Sequence, residues 1–433
     1  MKRSFSYPTA PTVLVAGGTA LVAACYGLVR LAYGLFLPDV QRSIPLADDA
    51  AGWIASGSSA VYCLGAVAGF LLAPQRPRSA VVLAALTAGL GAAGMATSAG
   101  PLMFGLAAVI SSAGAGLASP ALVRLVQRDV GAERTDGAQA VVNSGTGPGL
   151  IGAGVLALVL LPDWRIAWAV AAGVAVLAGV VVLLADRPDP TTTTTPTPTP
   201  MRTGPTGTPT RSRLGNTAPP RAWFVDHRRP VLVALLLGAG SAAVWTYGRT
   251  MLVDAGAPVR LSVVAWIALG VGGAAVALTA PHLGRLPART AWAATTAVVA
   301  LATLGLALAP RMHGVELVIV ALVCCALFGW GYTAATGALI AWTTDLDRER
   351  AAAGTSVLFV VLVLGQALGA AAAGTVIRTV GTGTVFVVAS VVVGVGAAAA
   401  LRSPRRCPGR PSSPRSTPAA RAAGAGSPTR GTR

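Results

Sequence analysis

The chain has 433 residues, 54% of them hydrophobic and 11% charged, with a mean hydropathy of +0.67. Such a composition lies outside the range of water-soluble globular domains and makes the lipid bilayer the natural solvent. Its 33 basic residues outnumber the 15 acidic ones, for a net charge of +18, so a nucleic-acid partner has to be tested against where the basic residues lie.

An α-helix rises about 1.5 Å per residue, so about 20 apolar residues cross a hydrocarbon core of about 30 Å. Six runs near that length are predicted at 12–36, 50–73, 79–98, 101–123, 138–161 and 165–185. Polar breaks such as Pro74-Gln75-Arg76-Pro77-Arg78 separate them. Residues 187–228 then depart in character: five threonines, Thr191 to Thr195, lead into alternating Pro and Thr and scattered arginines. Too few large apolar groups are present to offset chain entropy, which predicts an extended or disordered linker. Six further runs follow at 230–252, 260–281, 290–309, 315–341, 352–377 and 382–401, and residues 402–433 form a basic tail that reads as disordered. The predicted organisation is an all-α membrane protein with six-helix bundles at 1–186 and 229–401, joined by the linker at 187–228.

The basic residues alternate with the crossings. On one side lie Lys2, Arg3, Arg76, Arg78, Arg124, Arg128, Arg134, Arg285, Arg289, Arg348 and Arg350, together with the linker and tail. The other side holds Arg42, Arg165, Arg260, Arg311 and Arg378, about one per loop. Basic excess marks the cytoplasmic side during insertion, so both termini are expected in the cytoplasm, and the high pI needs no nucleic acid.

Sliding one half over the other reveals a repeat. Leu37-Pro38-Asp39 returns as Leu252-Val253-Asp254, and Trp53-Ile54-Ala55-Ser56-Gly57 as Trp266-Ile267-Ala268-Leu269-Gly270. Gly69-x-Leu71-x-Ala73 returns as Gly284-x-Leu286-x-Ala288, and Glu133-Arg134 as Glu349-Arg350. Constant order and spacing argue for duplication, and an even number of helices per copy gives both copies the same orientation.

These features resemble the major facilitator superfamily, and Gly27-Leu-Val-Arg30-Leu-Ala32-Tyr33-Gly-Leu-Phe-Leu37-Pro38 followed by Ala51-Gly52-Trp53 is similar to the opening of its YbfB/YjiJ-type branch. The resemblance implies two pseudo-symmetric six-helix bundles and alternating access, with a substrate cavity between them. It also exposes a departure. The loop after the second helix in that family reads Gly-x-Leu-x-Asp followed by basic residues, but Ala73 and Ala288 replace the acid here while Arg76, Arg78, Arg285 and Arg289 remain as gating candidates. Gly147 and Pro148 match the centre of a motif in the superfamily's proton-linked exporters, although Gly152 falls one residue late; ordinary small-residue packing explains the same residues.

Ionisable groups within spans cost roughly 2.5–3.5 kcal/mol each, so each asks for a reason. Arg30 has Tyr26 and Tyr33 at helical spacing, and Arg249 has Trp245 and Ser241 one and two turns before it. Arginines facing a shared cavity suit an anion such as a carboxylate or phosphate ester. Snorkelling to the headgroups is the competing reading. Asp39 and Asp254, at the ends of the same helices, either pair with arginine, carry protons or are solvated termini. Asn143, Tyr332 and Gln366 are further substrate-binding candidates, with Ser56, Tyr62 and Thr336 weaker ones.

Cys25, Cys63, Cys324, Cys325 and Cys407 lack metal-ligating or disulfide spacing, and nothing resembles a nucleotide loop or catalytic triad. No enzyme activity, metal or cofactor is expected. The expected partners are the bilayer and a small organic solute, for which an organic anion is the candidate class, with no nucleic acid and a monomeric chain in the plasma membrane. The expected function is secondary or facilitative transport of that solute, with efflux slightly favoured by the fifth-helix motif. The alternative is a non-transporting sensor or scaffold on the same fold.

Overall fold

The computed structural model of the chain describes residues 10–186 and 221–401, whose regular elements are all helical. The expectations for the tail, and for the linker up to residue 220, lie outside the described residues.

Twelve helical crossings stand where the apolar runs place them. The first is composite: α1 (Ala10–Val22), a π-helical stretch (Ala23–Leu31) and α2 (Tyr33–Ser43). Then come α3 (Asp48–Leu72), α4 (Pro77–Thr97) and α5 (Pro101–Asp129). The fifth crossing is broken into α6 (Thr135–Asn143) and α7 (Thr146–Leu160), and α8 (Trp164–Ala185) is the sixth. Beyond the linker lie α10 (Arg228–Asp254), α11 (Val259–Leu283), α12 (Ala288–Ala307), α13 (Gly314–Leu346), α14 (Ala351–Val380) and α15 (Thr382–Leu401). One short helix, α9 (Arg221–Asp226), interrupts the stretch expected to be extended. Trp223 anchors it: the indole is 3% exposed and stacks on His227, whose Nε2 lies 3.1 Å from Thr343 Oγ1.

Helix is imposed by the solvent, because hydrocarbon offers no partner to a free N–H or C=O. Pro77 and Pro101 open α4 and α5, where a missing N–H costs nothing. Pro148 explains the broken fifth crossing. Without its N–H, the Ser144 carbonyl loses its i+4 donor and takes a tighter bond from Gly147 N at 3.2 Å.

The two sets of six pack alike. α3 and α4 lie on α5, and α4 on α8; correspondingly α11 and α12 lie on α13, and α12 on α15. The first crossing packs on α7 and α8 as α10 packs on α14 and α15. The repeated sequence therefore has a repeated structure. Between the sets α2 meets α10, α3 meets α14 and α7 meets α11. Glycine sets several of these crossings: a methyl group on Gly34 would strike the Trp245 carbonyl oxygen, and one on Gly52 would lie 2.6 Å from the Ala370 carbonyl oxygen. Gly365 and Gly369 hold α14 equally close to α10, against the carbonyl oxygens of Leu235 and Ala239.

Candidate functional site

Midway along the crossings, side chains from both sets converge on one polar cluster. Arg30 comes from the π-helical stretch of the first crossing. Its Nη2 lies 3.5 Å from Ser59 Oγ and donates to Gln366 Oε1 at 3.2 Å, while the guanidinium sits 4.5 Å over the Tyr62 ring. Ser59 and Tyr62 come from α3 and Gln366 from α14, so Arg30 ties the first set to the second. Tyr26 OH is 2.6 Å from Tyr62 OH and 3.4 Å from Ser119 Oγ of α5. Gln366 Nε2 donates to Tyr332 OH at 3.0 Å, and the Tyr332 ring stands 5.4 Å from Trp245. Trp245 is edge-on to Trp266 and Phe328 as well. Tyr26, Arg30, Trp245 and Tyr332 are half-buried, whereas Ser59, Tyr62, Phe328, Trp266 and Gln366 are buried around them.

Charge within the cluster is unbalanced. Among the described residues no carboxylate lies within ion-pair distance of Arg30, and its Nε is buried without a hydrogen-bond partner. The head turns inward to side chains of α3 and α14 instead of snorkelling outward. A guanidinium held in this way, with donors unspent, is suited to bind an anion.

A second cluster closes the end of the bundle opposite the linker. Arg249 is 1% exposed; it forms an ion pair with Asp39 and donates to the Leu35 carbonyl at 2.6 Å and to Ser262 Oγ at 3.1 Å. Asp39, itself 3% exposed, also takes Arg42 Nη1 at 3.0 Å. Tyr247 OH donates to the Asp48 carbonyl at 2.7 Å, again across the two sets. Among the described residues, the ion pairs at the linker end stay within a set. Asp186, with its side chain fully buried at 0%, holds Arg78 at 2.7 Å and also Arg128, joining α4, α5 and α8.

Five of the eight substrate-binding candidates, Arg30, Tyr26, Trp245, Tyr332 and Gln366, thus meet in one place, and three do not. Regular helical spacing pairs Tyr33 with Arg30. The π-helical stretch winds more than 3.6 residues per turn and swings Tyr33 away, so that its OH donates to the Ala51 carbonyl at 3.0 Å. Arg249 is committed to Asp39 rather than to the cluster around Arg30. Asn143 is exposed at the end of α6, where its Oδ1 accepts from Gln139 at 3.2 Å.

The coupling candidates scatter. Of the three readings left open for Asp39, the geometry selects pairing with arginine; Asp254 is exposed and accepts from Thr382 Oγ1 at 3.0 Å. Gly147 faces Ala274 of α11, 3.6 Å from where its methyl would be, and Pro148 is exposed. Arg76 and Arg285 are exposed, Arg78 serves Asp186, and Arg289 lies 5.6 Å over the Trp342 ring. Ser59, Ser119 and Phe328 join the site without having been anticipated. A serine or phenylalanine in so apolar a helix carries no local mark of its partners.

The Major Facilitator Superfamily matches the chain over residues 19–361. No curated protein sequence matches it. Among solved structures, the nucleoside transporter NupG is similar with a TM-score of 0.71 at 14% identity, covering 91% of this chain and 98% of that one. The D-xylose-proton symporter is similar with a TM-score of 0.68 at 15% identity, covering 90% and 97%. A bacterial homolog of the human lysosomal transporter Spinster, in an inward-facing and unoccupied conformation, gives 0.69 at 13% identity, covering 91% and 97%. At these identities the likeness is one of fold. Twelve crossings, a duplicated packing pattern and a match over most of the length agree: the chain is a multi-pass membrane transporter belonging to the major facilitator superfamily.

Proposed function

We propose that this transporter moves a small organic anion by alternating access, with the anion bound at Arg30. The observation that carries the reading is an arginine midway along the helical crossings with no carboxylate partner among the described residues, held between the two sets of helices by Ser59 and Gln366. Removing a guanidinium from water is expensive unless something in the transport cycle compensates it. The sets 1–186 and 229–401 rock about this site on the linker 187–228. The distribution of basic residues supports placing the linker end in the cytoplasm, with the chain in the plasma membrane as a monomer. Contacts between the sets at the far end then close the path to the outside. The opening sequence supports membership in the YbfB/YjiJ-type branch, and the fifth-crossing motif around Gly147 and Pro148 gives efflux a slight preference.

Counterflow in proteoliposomes tests the reading. A panel of labelled organic anions is expected to exchange saturably, and Arg30→Ala is expected to weaken affinity roughly tenfold to a hundredfold, the worth of a charge-assisted hydrogen bond. The variant should still insert and run as a single species. Unchanged affinity in Arg30→Ala would remove Arg30 from the site.

A further inference from the structure

The walls around the central cluster differ in chemistry. On the side of the first set stand Arg30, Tyr26 and Ser119; on the other, Trp245 and Tyr332, backed by buried Phe328 and Trp266. Gln366 bridges them, accepting from Arg30 and donating to Tyr332.

Counting charge limits what fits. Arg249 is neutralised by Asp39, so Arg30 remains the cation of this cluster among the described residues. A singly charged anion yields a neutral complex, whereas a dianion leaves a net negative charge enclosed at low dielectric, where its cost is greatest. Counting hydrogen bonds limits it further. Tyr26 is engaged with Tyr62 and Ser119, and both ends of the Gln366 amide are occupied, so little polar capacity remains for a polyhydroxylated solute. The aromatic wall favours a flat apolar body: Phe328 and Tyr332 stack with 13° between their planes, and both Trp245 and Tyr332 keep part of their surface open. Trp245 Nε1 is buried behind that wall without a hydrogen-bond partner.

We infer that the site takes a monovalent organic anion with a flat apolar body, such as an arene monocarboxylate, its carboxylate on Arg30 and its ring against Trp245 and Tyr332. The inference rests on the reading of Arg30 as the anion contact. It is tested with the full chain in proteoliposomes, using labelled 2-naphthoate at neutral pH. Saturable exchange is expected, with benzoate competing and octanoate, phthalate and benzamide each at least tenfold weaker. Trp245→Leu should weaken 2-naphthoate roughly tenfold and leave octanoate unchanged. Trp245→Phe, which keeps an aromatic face on the wall, should stay within about threefold of the parent. Octanoate or phthalate competing as well as benzoate would overturn the flat monoanion while leaving an anion on Arg30. Benzamide competing as well as benzoate, with exchange surviving in Arg30→Ala, would overturn both readings. Absence of saturable exchange for every arene carboxylate, while another anion exchanges through Arg30, would overturn this inference alone.

Discussion

Arg249 is the most deeply buried cation among the described residues, and it survives there because Asp39, the Leu35 carbonyl and Ser262 surround it. Removing one member of a buried pair strands the other charge, at a cost of about 3–5 kcal/mol, while removing both is far milder. Asp39→Asn is therefore expected to lower the unfolding temperature in detergent. The double variant Asp39→Asn with Arg249→Gln should recover most of the loss. A double variant no more stable than the single one would show that the pair contributes through its surroundings alone. The same pair shows where sequence reading stops. Arg30, Tyr26, Tyr332, Gln366 and Trp245 stand out because polar and aromatic groups are conspicuous in Ala- and Val-rich spans. Arg249 stands out equally, but its partner lies 210 positions away, and no local pattern distinguishes an arginine awaiting a ligand from one already satisfied. Ser59 and Ser119 fail the other way, since they become site residues only through what α3 and α5 bring to them.

At the level of elements, apolar run length suffices to place the crossings, because the bilayer fixes that length and helix is the form it allows. What run length cannot show is departure from regular winding. The π-helical stretch Ala23–Leu31 is apolar enough to read as ordinary helix, yet the change of phase turns Tyr33 from Arg30 and leaves Tyr26 beside Tyr62. Its packing partner is the restarted fifth crossing. Gly27 lies against the backbone of Gly149, and a methyl group on Gly149 would collide with the Ala23 carbonyl oxygen. Because the obstacle is backbone, the helices cannot make room by changing a rotamer. Gly149→Ala is expected to cost about 1–3 kcal/mol and to disturb Arg30 through the shared helix. Gly173→Ala provides the control, since nothing lies within 4 Å of the added methyl group, and it should be neutral in thermal stability and in exchange. Equal effects at the two positions would deny the first crossing its close seat on α7.

For the whole molecule, the ends are bound differently. Asp186 gathers Arg78 and Arg128 within the first set, and His227 meets Thr343 within the second, so each set is stapled internally at the linker end. Asp39 with Arg249 and Tyr247 with Asp48 join the sets at the far end. At this end, where Ala73 and Ala288 stand, Asp186 supplies a buried carboxylate to Arg78 and Arg128, and it does so because the sixth crossing delivers it beside α4 and α5. On the proposed alternating access, rocking breaks the far-end ties while carrying Arg30 through a stage closed at both ends. An unneutralised arginine at the bilayer centre costs roughly 2.5–3.5 kcal/mol, and each 1.36 kcal/mol is tenfold in rate, which bounds the slowing of the empty carrier at roughly seventy- to four-hundred-fold. A bound monoanion cancels that charge. Loaded carrier should therefore turn over readily and empty carrier slowly, so proteoliposomes preloaded with unlabelled anion are expected to take up labelled anion at least about tenfold faster than empty ones. Arg30→Gln should abolish this preference by removing the charge that imposes it, even where affinity is too weak for saturation. Equal uptake into preloaded and empty vesicles by the parent protein would mean that the guanidinium is compensated during the return step, and exchange would then give way to net transport.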